Sequence, residues 1–222
     1  MNKKYIAFFD LDDTILSVNS GRILIKACYS KGLITRGDLL KAYWLSILFK
    51  LRIKSSRSTS LSMIKWLKGT EAKFMQDFTG RVVNDLLISF IRPEIREEIN
   101  THQKNGGKLV MLSAALTFIV KPIAEFLNFD DYICSNPEVE NGYYTGKPNG
   151  PVCVDNEKEI QIREYCRRYK VELPDVYFYG DSWSDRFALK IVGHPVCVQP
   201  DSRLLKLSVK NKWKRILTFC FF

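Results

Sequence analysis

Residues 4–14 read KYIAFFDLDDT, and no other segment of the chain gives as clear a structural signal. Tyr5–Phe9 is a short, unbroken run of aromatic and aliphatic side chains, and it stops at Asp10, Asp12 and Asp13. A run this short with no polar face reads as a buried strand rather than a helix. Carboxylates at the end of such a strand can cap a turn, but they also lie where open parallel sheets bind ligands.

Working outward, the next 70 or so residues change character. Gly21–Lys31, Thr35–Lys50, Thr59–Lys68 and Glu71–Ile91 carry apolar residues at helical spacing, with breaks at Gly32, Gly37, the Ser-rich 55–60 stretch and Gly69. They predict four helices. Pro93–Lys104 predicts another, with proline at its first position and a stop at Asn105-Gly106-Gly107. Strand and helix then alternate. Strands are expected over Lys108–Ser113, Asp131–Ser135, Val176–Gly180 and Pro195–Val198, and helices over 116–127, Asn156–Lys170 and Ser184–Ile191. Asn141-Gly142 marks a hairpin between 137–140 and 143–145, and Asp201 can cap a last helix. This order predicts an α/β fold: a three-layer, Rossmann-like parallel sheet core with an all-helical cap inserted after the first strand. The expected boundaries are 1–16 and 92–222 for the core and 17–91 for the cap.

Composition bounds the function. With 222 residues, 46% hydrophobic and 26% charged, the chain can bury a core without staples, which excludes disorder and disulfide scaffolds. Six cysteines with no CxxC pair read as reduced thiols, and with His102 and His194 as the two histidines a histidine-based metal site is not expected. The N-terminal apolar run is too short for a signal peptide, and no stretch reaches the ~18–20 apolar residues of a membrane span. A soluble, cytoplasmic protein is expected. The net charge of +10 is uneven: residues 20–90 hold 13 Lys/Arg against 4 Asp/Glu, and residues 201–222 hold 6 against 1. Such segments attract phosphorylated ligands, nucleic acid or anionic lipid, or simply keep a surface solvated. No nucleic-acid module is recognisable, so no nucleic-acid partner is expected.

Three predicted strands end in polar residues: Asp10 and Asp12 after the first, Ser113 after the second, and Asp181 and Asp185 after a later one. If these ends converge, the four carboxylates repel one another unless a cation neutralises them, and an oxygen-only set suits Mg²⁺. A serine hydroxyl and a nearby lysine would complete a site for a phosphoryl group. Lys158 opens the helix before the GDSWSD strand; Lys147 in TGKPNG is its rival.

The ordered set FFDLDDT (8–14), LSAA (112–115), NEK (156–158) and GDSWSD (180–185) resembles the four signature motifs of the haloacid dehalogenase superfamily of aspartate-nucleophile phosphatases. Residues 180–201, followed by a helix and Lys212-Trp213, resemble its phosphoserine-phosphatase-like branch, subfamily IB. The resemblance implies that Asp10 is the nucleophile and that Asp12 is the general acid and base. It also implies that Asp10, the backbone carbonyl of Asp12, and Asp181 hold Mg²⁺. Ser113 and neighbouring amides would bind phosphate oxygens, Lys158 would neutralise developing charge, Asp185 would position Lys158 or metal-bound water, and Thr14 would support the loop. Three features depart from phosphoserine phosphatases: Asn19 stands where their substrate-recognising Glu is found, Arg57 is the nearest counterpart of their cap arginine, and the second motif differs. Ser113-Ala114-Ala115 replaces the usual Ser-Gly-Gly.

The expected activity is Mg²⁺-dependent hydrolysis of a phosphomonoester, either a phosphoserine-like small metabolite or a lipid head-group phosphate. The alternatives are a phosphotransferase with the same intermediate, or a catalytically silent basic protein that binds membrane or nucleic acid on this fold. Leu39–Phe49, followed by Lys50, Arg52, Lys54 and Arg57, and the tail NKWKRILTFCFF pair basic with apolar residues. They suggest peripheral contact with an anionic membrane at its inner face, unless Trp44, Leu45 and Leu48 pack inside the cap.

Overall fold

Strand β1 (Ile6–Phe9) lies in the interior of the sheet, with all four residues buried, in a computed structural model that describes residues 5–50 and 56–217. Among the described residues the sheet has six strands. The other five are β2 (Lys108–Leu116), β3 (Asp131–Ser135), β6 (Val176–Gly180), β7 (His194–Val198) and β8 (Lys214–Ile216), in the order β3-β2-β1-β6-β7-β8. Every pairing is parallel. All strands therefore end at the same edge of the sheet.

The alternation along β1 sorts the core into two layers. Ile6 and Phe8 pack with Ile162 and Tyr165 of α7 (Asn156–Tyr169), Ala188 and Leu189 of α8 (Arg186–Ile191) and Leu204 of α9 (Ser202–Lys210). Ala7 and Phe9 face Ile95 and Ile99 of α5 (Pro93–Lys104) and Ile119 and Ile123 of α6 (Thr117–Phe126). The second layer continues into the helices that follow β1, through Leu24 and Cys28 of α1 (Ser20–Ser30) and Met75, Phe78 and Val82 of α4 (Ala72–Asp85). Between these two helices lie α2 (Arg36–Lys50) and α3 (Ser56–Trp66).

Two backbone seams hold this helical segment. Where it leaves and rejoins the sheet, Ser17 N–H donates to Phe90 O at 2.8 Å and Arg92 N–H to Ile15 O at 2.9 Å, so entry and exit run side by side. The second seam is the hairpin of β4 (Pro137–Glu140) and β5 (Tyr143–Pro148). Its turn, Asn141-Gly142, has positive φ at both residues, as a tight two-residue hairpin requires. Gly69 N–H donates to Tyr144 O, Tyr144 N–H to Thr70 O and Ala72 N–H to Gly142 O, all at 2.8–3.0 Å.

Several expectations are corrected. The helix expected over Glu71–Ile91 ends at Asp85, and Leu87–Phe90 is a separate single turn. Strand β2 runs on to Leu116, past the expected Ser113, and β8 had no counterpart in the reading of the sequence. Trp44 is not packed inside the helical segment: it is 61% exposed, and Leu40 is 68% exposed. The side chains of Leu45 and Leu48, residues Arg52 and Lys54, and the last five residues of the tail lie outside the described residues. No described helix is long and apolar enough to cross a membrane. Cys28, Cys134, Cys153, Cys166 and Cys197 are free thiols, and Cys220 lies outside the described residues.

His102 illustrates how the core satisfies a buried polar group. Its Nδ1 is 3.0 Å from Tyr5 Oη and its Nε2 is 2.8 Å from Tyr179 Oη. Tyr179 Oη donates to Glu98 Oε2 at 2.6 Å, and Glu98 also takes Lys214 Nζ at 2.6 Å. With the Tyr179 hydroxyl proton given to Glu98, Tyr179 Oη is left to accept from the Nε2 side of the imidazole. Burial pulls its pKa down, against the opposing pull of Glu98. A histidine held below its unfolded pKa binds fewer protons in the native state, so its contribution to stability is lost as pH falls through the unfolded value of about 6.5. Urea unfolding compared between pH 7.5 and pH 5.5 should show His102→Gln more stable relative to the wild type at the lower pH than at the higher one, because only the wild type carries the histidine's loss.

The hairpin seam gives a second test. Gly146 has φ +81°, and a Cβ there would lie 2.9 Å from Lys68 Cβ; Gly142 has φ +84° with open space around it. Gly142→Ala should cost only the backbone penalty of about 1–2 kcal/mol. Gly146→Ala should shift the urea midpoint further, because the contact with α3's end adds to the same penalty.

Candidate active site

The common sheet edge brings together Asp10 at the end of β1, Ser113 near the end of β2, and Asp181 and Asp185 beyond β6. Asp10 N–H donates to Tyr179 O at 2.9 Å, so the β1–β6 ladder extends one residue past the strand and fixes the Asp10 backbone. Lys158, in the first turn of α7, is 2% exposed, and its Nζ lies 2.6 Å from Asp185 Oδ1 and 3.1 Å from Asp10 Oδ1. The first contact is an aligned hydrogen bond. The second is an ion pair without hydrogen-bond alignment, which leaves Asp10 Oδ1 buried with no hydrogen-bond partner. The other oxygen of Asp185 accepts from Ser182 N–H at 3.1 Å and Ser182 Oγ at 2.9 Å. Thr14 Oγ1 donates to Asp181 Oδ1 at 3.2 Å.

The electrostatics follow from this crowding. Burial, with Asp185 and Asp12 adding to it and Lys158 opposing, raises Asp10 to a pKa of about 7. Burial and the charges of Asp185 and Asp10 push Asp181 up as well. Burial alone would lower Lys158, but Asp10 and Asp185 outweigh it and hold the ammonium protonated. One oxygen each from Asp10, Asp181 and Asp185 lie within 4.8 Å of one another. Buried Asp10 and Asp185 and half-buried Asp181 offer hard oxygen donors, and Asp10 Oδ1 has no hydrogen bond, a set that fits a Mg²⁺ site.

Asp12 is turned elsewhere. The Leu11–Ile15 turn, with Asp13 at φ 57°, sends its carboxylate to the start of α1. There Asp12 Oδ1 accepts from Ser20 N–H at 2.8 Å and Oδ2 from Asn19 Nδ2 at 2.9 Å. Burial raises its pKa to about 6, with the Ser20 hydrogen bonds pulling the other way.

These groups surround one cavity of about 430 Å³, lined among others by Asp10, Asp12, Asp181, Lys158, Ala114 and Asn19. Lys147 is exposed on the hairpin, away from it. Ser113 is buried beside the cavity, and its Oγ accepts from Ala115 N–H at 3.2 Å. Asn19 caps α1, with Oδ1 accepting from Arg22 N–H at 3.1 Å, so both ends of its amide are engaged. Arg57 does not reach the cavity: it is exposed beside a separate shallow groove with Leu61 and Lys65. The cations of the helical segment that do line the cavity are Arg22 and Lys41. Neither was singled out from the sequence, although Arg22 lies only three residues beyond the Asn19 cap.

Lys158 is the counter-charge for a buried carboxylate pair. Lys158→Met should destabilise the metal-free protein by about 3–5 kcal/mol, because it strands Asp185 and Asp10 without a cation. Chemical denaturation of the two proteins in a chelator measures the difference.

With this geometry established, comparison with known proteins identifies the chain's relatives. The haloacid dehalogenase-like hydrolase family matches residues 7–190. A probable phosphatase of Mycobacterium tuberculosis is 29% identical, over 96% of this chain and 75% of its own. A histidinol-phosphatase of Neisseria meningitidis is 26% identical, over 95% of this chain and 97% of its own. The structure of a substrate-bound phosphoserine phosphatase superposes with a TM-score of 0.73 at 17% identity, covering 97% of this chain and 94% of that one. The chain therefore belongs to the haloacid dehalogenase-like hydrolases, as an enzyme of the phosphatase type with the phosphoserine-phosphatase fold.

Proposed function

We propose that this chain hydrolyses a phosphomonoester through an aspartyl-phosphate on Asp10. The observation that carries this reading is the Asp10 carboxylate, buried at a strand end, with one oxygen lacking any hydrogen bond and Lys158 Nζ 3.1 Å away. An acceptor left unpaired in a buried site is costly, and a reaction that uses that oxygen explains why it is retained.

In the first half-reaction an Asp10 oxygen bonds to phosphorus while the bond from phosphorus to the substrate alcohol breaks. The leaving oxygen takes its proton from Asp12. In the second, Asp12 takes a proton from water, the water oxygen bonds to phosphorus, and the acyl-phosphate bond to Asp10 breaks. A carboxyl with a pKa of about 6 suits both duties near neutral pH. Lys158 holds Asp10 in place and offsets the charge that gathers on the phosphoryl oxygens. Ser113 and the amides after it would face those oxygens, and Thr14 and Asp185 would steady Asp181 and Lys158.

Asp10, Asp181 and the Asp12 carbonyl, with Asp185 adjoining, would hold Mg²⁺. When bound, it would screen the repulsion between nucleophile and phosphate and polarise the phosphoryl group. Residues 17–91 would act as a cap that roofs the site and limits water, and residues 1–16 and 92–222 as the catalytic core.

The test is turnover of phenyl phosphate with and without Mg²⁺. Wild type should require the metal, Asp10→Asn should show no turnover, and Asp12→Asn should lose roughly 10²- to 10⁴-fold. In the metal-free protein, Asp10→Asn should raise the melting temperature by removing one of the clustered charges, and should reduce the further rise that Mg²⁺ produces. Full activity of Asp10→Asn would sink the proposal.

A further inference from the structure

The cavity above Asp10 has two chemically different parts. One holds the carboxylates and Lys158. The other is formed by Ile25, Ile34, Met63 and Trp66 of the helical segment together with Leu116 and Ile119 at the junction of β2 and α6. Leu116 and Ile119 are buried, but Ile25, Ile34 and Met63 are only partly so, and Trp66 is 39% exposed. Open apolar surface gathered in a concave site, beside a few convergent polar groups, is the usual composition of a small-molecule pocket.

Accepting the phosphatase reading, we infer that the alcohol half of the substrate is an apolar alkyl or aryl body rather than a zwitterionic amino acid. The alternative needs partners for an ammonium and a carboxylate, and the charged groups lining the cavity are either engaged by neighbouring residues or exposed to solvent. Asp38 accepts from Thr35 N–H at 3.2 Å and Thr35 Oγ1 at 2.7 Å, and Lys41 Nζ lies 3.8 Å from it. Both ends of the Asn19 amide are taken by Asp12 and the α1 cap. Arg22 is solvent-exposed, where an ion pair contributes little. An ammonium set among isoleucine, methionine and tryptophan side chains would lose hydration without replacement. An alkyl or aryl group would instead cover surface that is otherwise wet.

The experiment measures kcat/KM with Mg²⁺ for methyl, butyl, hexyl and phenyl phosphate, with O-phosphoserine alongside. Each methylene that becomes buried should multiply kcat/KM by roughly three- to fourfold, so hexyl phosphate should exceed methyl phosphate by well over tenfold. Trp66→Ser and Met63→Ser should flatten this dependence, chiefly through KM. Phosphatidate in phosphatidylcholine vesicles separates the two sources of an apolar phosphomonoester. Turnover matching hexyl phosphate assigns the site to a lipid, and turnover confined to the soluble series assigns it to a free metabolite. A flat series, or O-phosphoserine as good a substrate as hexyl phosphate, overturns the inference and leaves the phosphatase reading standing. No turnover of any of these phosphates overturns both.

Discussion

The ion pairs of Lys158 with Asp185 and Asp10 are the contact on which the rest of the site depends. The parallel sheet sends Asp10, Asp181 and Asp185 to one edge, where burial and the neighbouring carboxylates oppose the ionisation of Asp10 and Asp181. A single ammonium, delivered from the first turn of α7, compensates two of them at 2.6 and 3.1 Å. The compensation is incomplete, since Asp10 Oδ1 keeps no hydrogen bond. The fold therefore stores unfavourable charge at the place where a cation and a phosphoryl group would relieve it. Such sites trade stability for chemistry.

A second constraint is how the helical segment is tied to the sheet. Its entry and exit strands are adjacent and hydrogen-bonded, while the hairpin that follows edge strand β3 grips residues 69–72 through three backbone bonds. Held at two places, the segment presents α1 and α3 to the strand ends. The open apolar wall and the charged floor are consequently built from pieces far apart in sequence, and neither piece forms a pocket alone.

Asp12 links these parts. Its carboxylate is bonded to the first backbone amide of α1 and to the residue that caps it, a location where the helix dipole favours negative charge. The proposed acid is thus positioned by the helix that also supplies part of the substrate wall. Asn19 illustrates how one residue can be absorbed into this arrangement: a side chain well placed by sequence to meet substrate instead spends its amide on Asp12 and on Arg22 N–H.

Much of the fold could be read locally. A buried strand such as Ile6–Phe9, a turn such as Asn141-Gly142 and a cap such as Asp201 each depend on a few neighbouring residues, and the structure has all three where the sequence puts them. Elements whose state is set by partners could not be read in this way. Lys214–Ile216 is too short and too basic to announce a strand, and it becomes one by pairing with β7. The helix expected to run through Ile91 breaks at Leu86 because Ile91 pairs with Leu16 where the chain re-enters the sheet. Within the site, the identities of Asp10, Asp12, Lys158, Asp181 and Asp185 were legible because strand ends and helix starts are local signals. Which oxygens meet, that Arg57 points away while Arg22 and Lys41 line the cavity, and that apolar walls stay uncovered were settled only by the tertiary structure. Pattern in the sequence determines which face of an element is buried, but side chains more than a hundred residues apart meet only when the whole chain has packed.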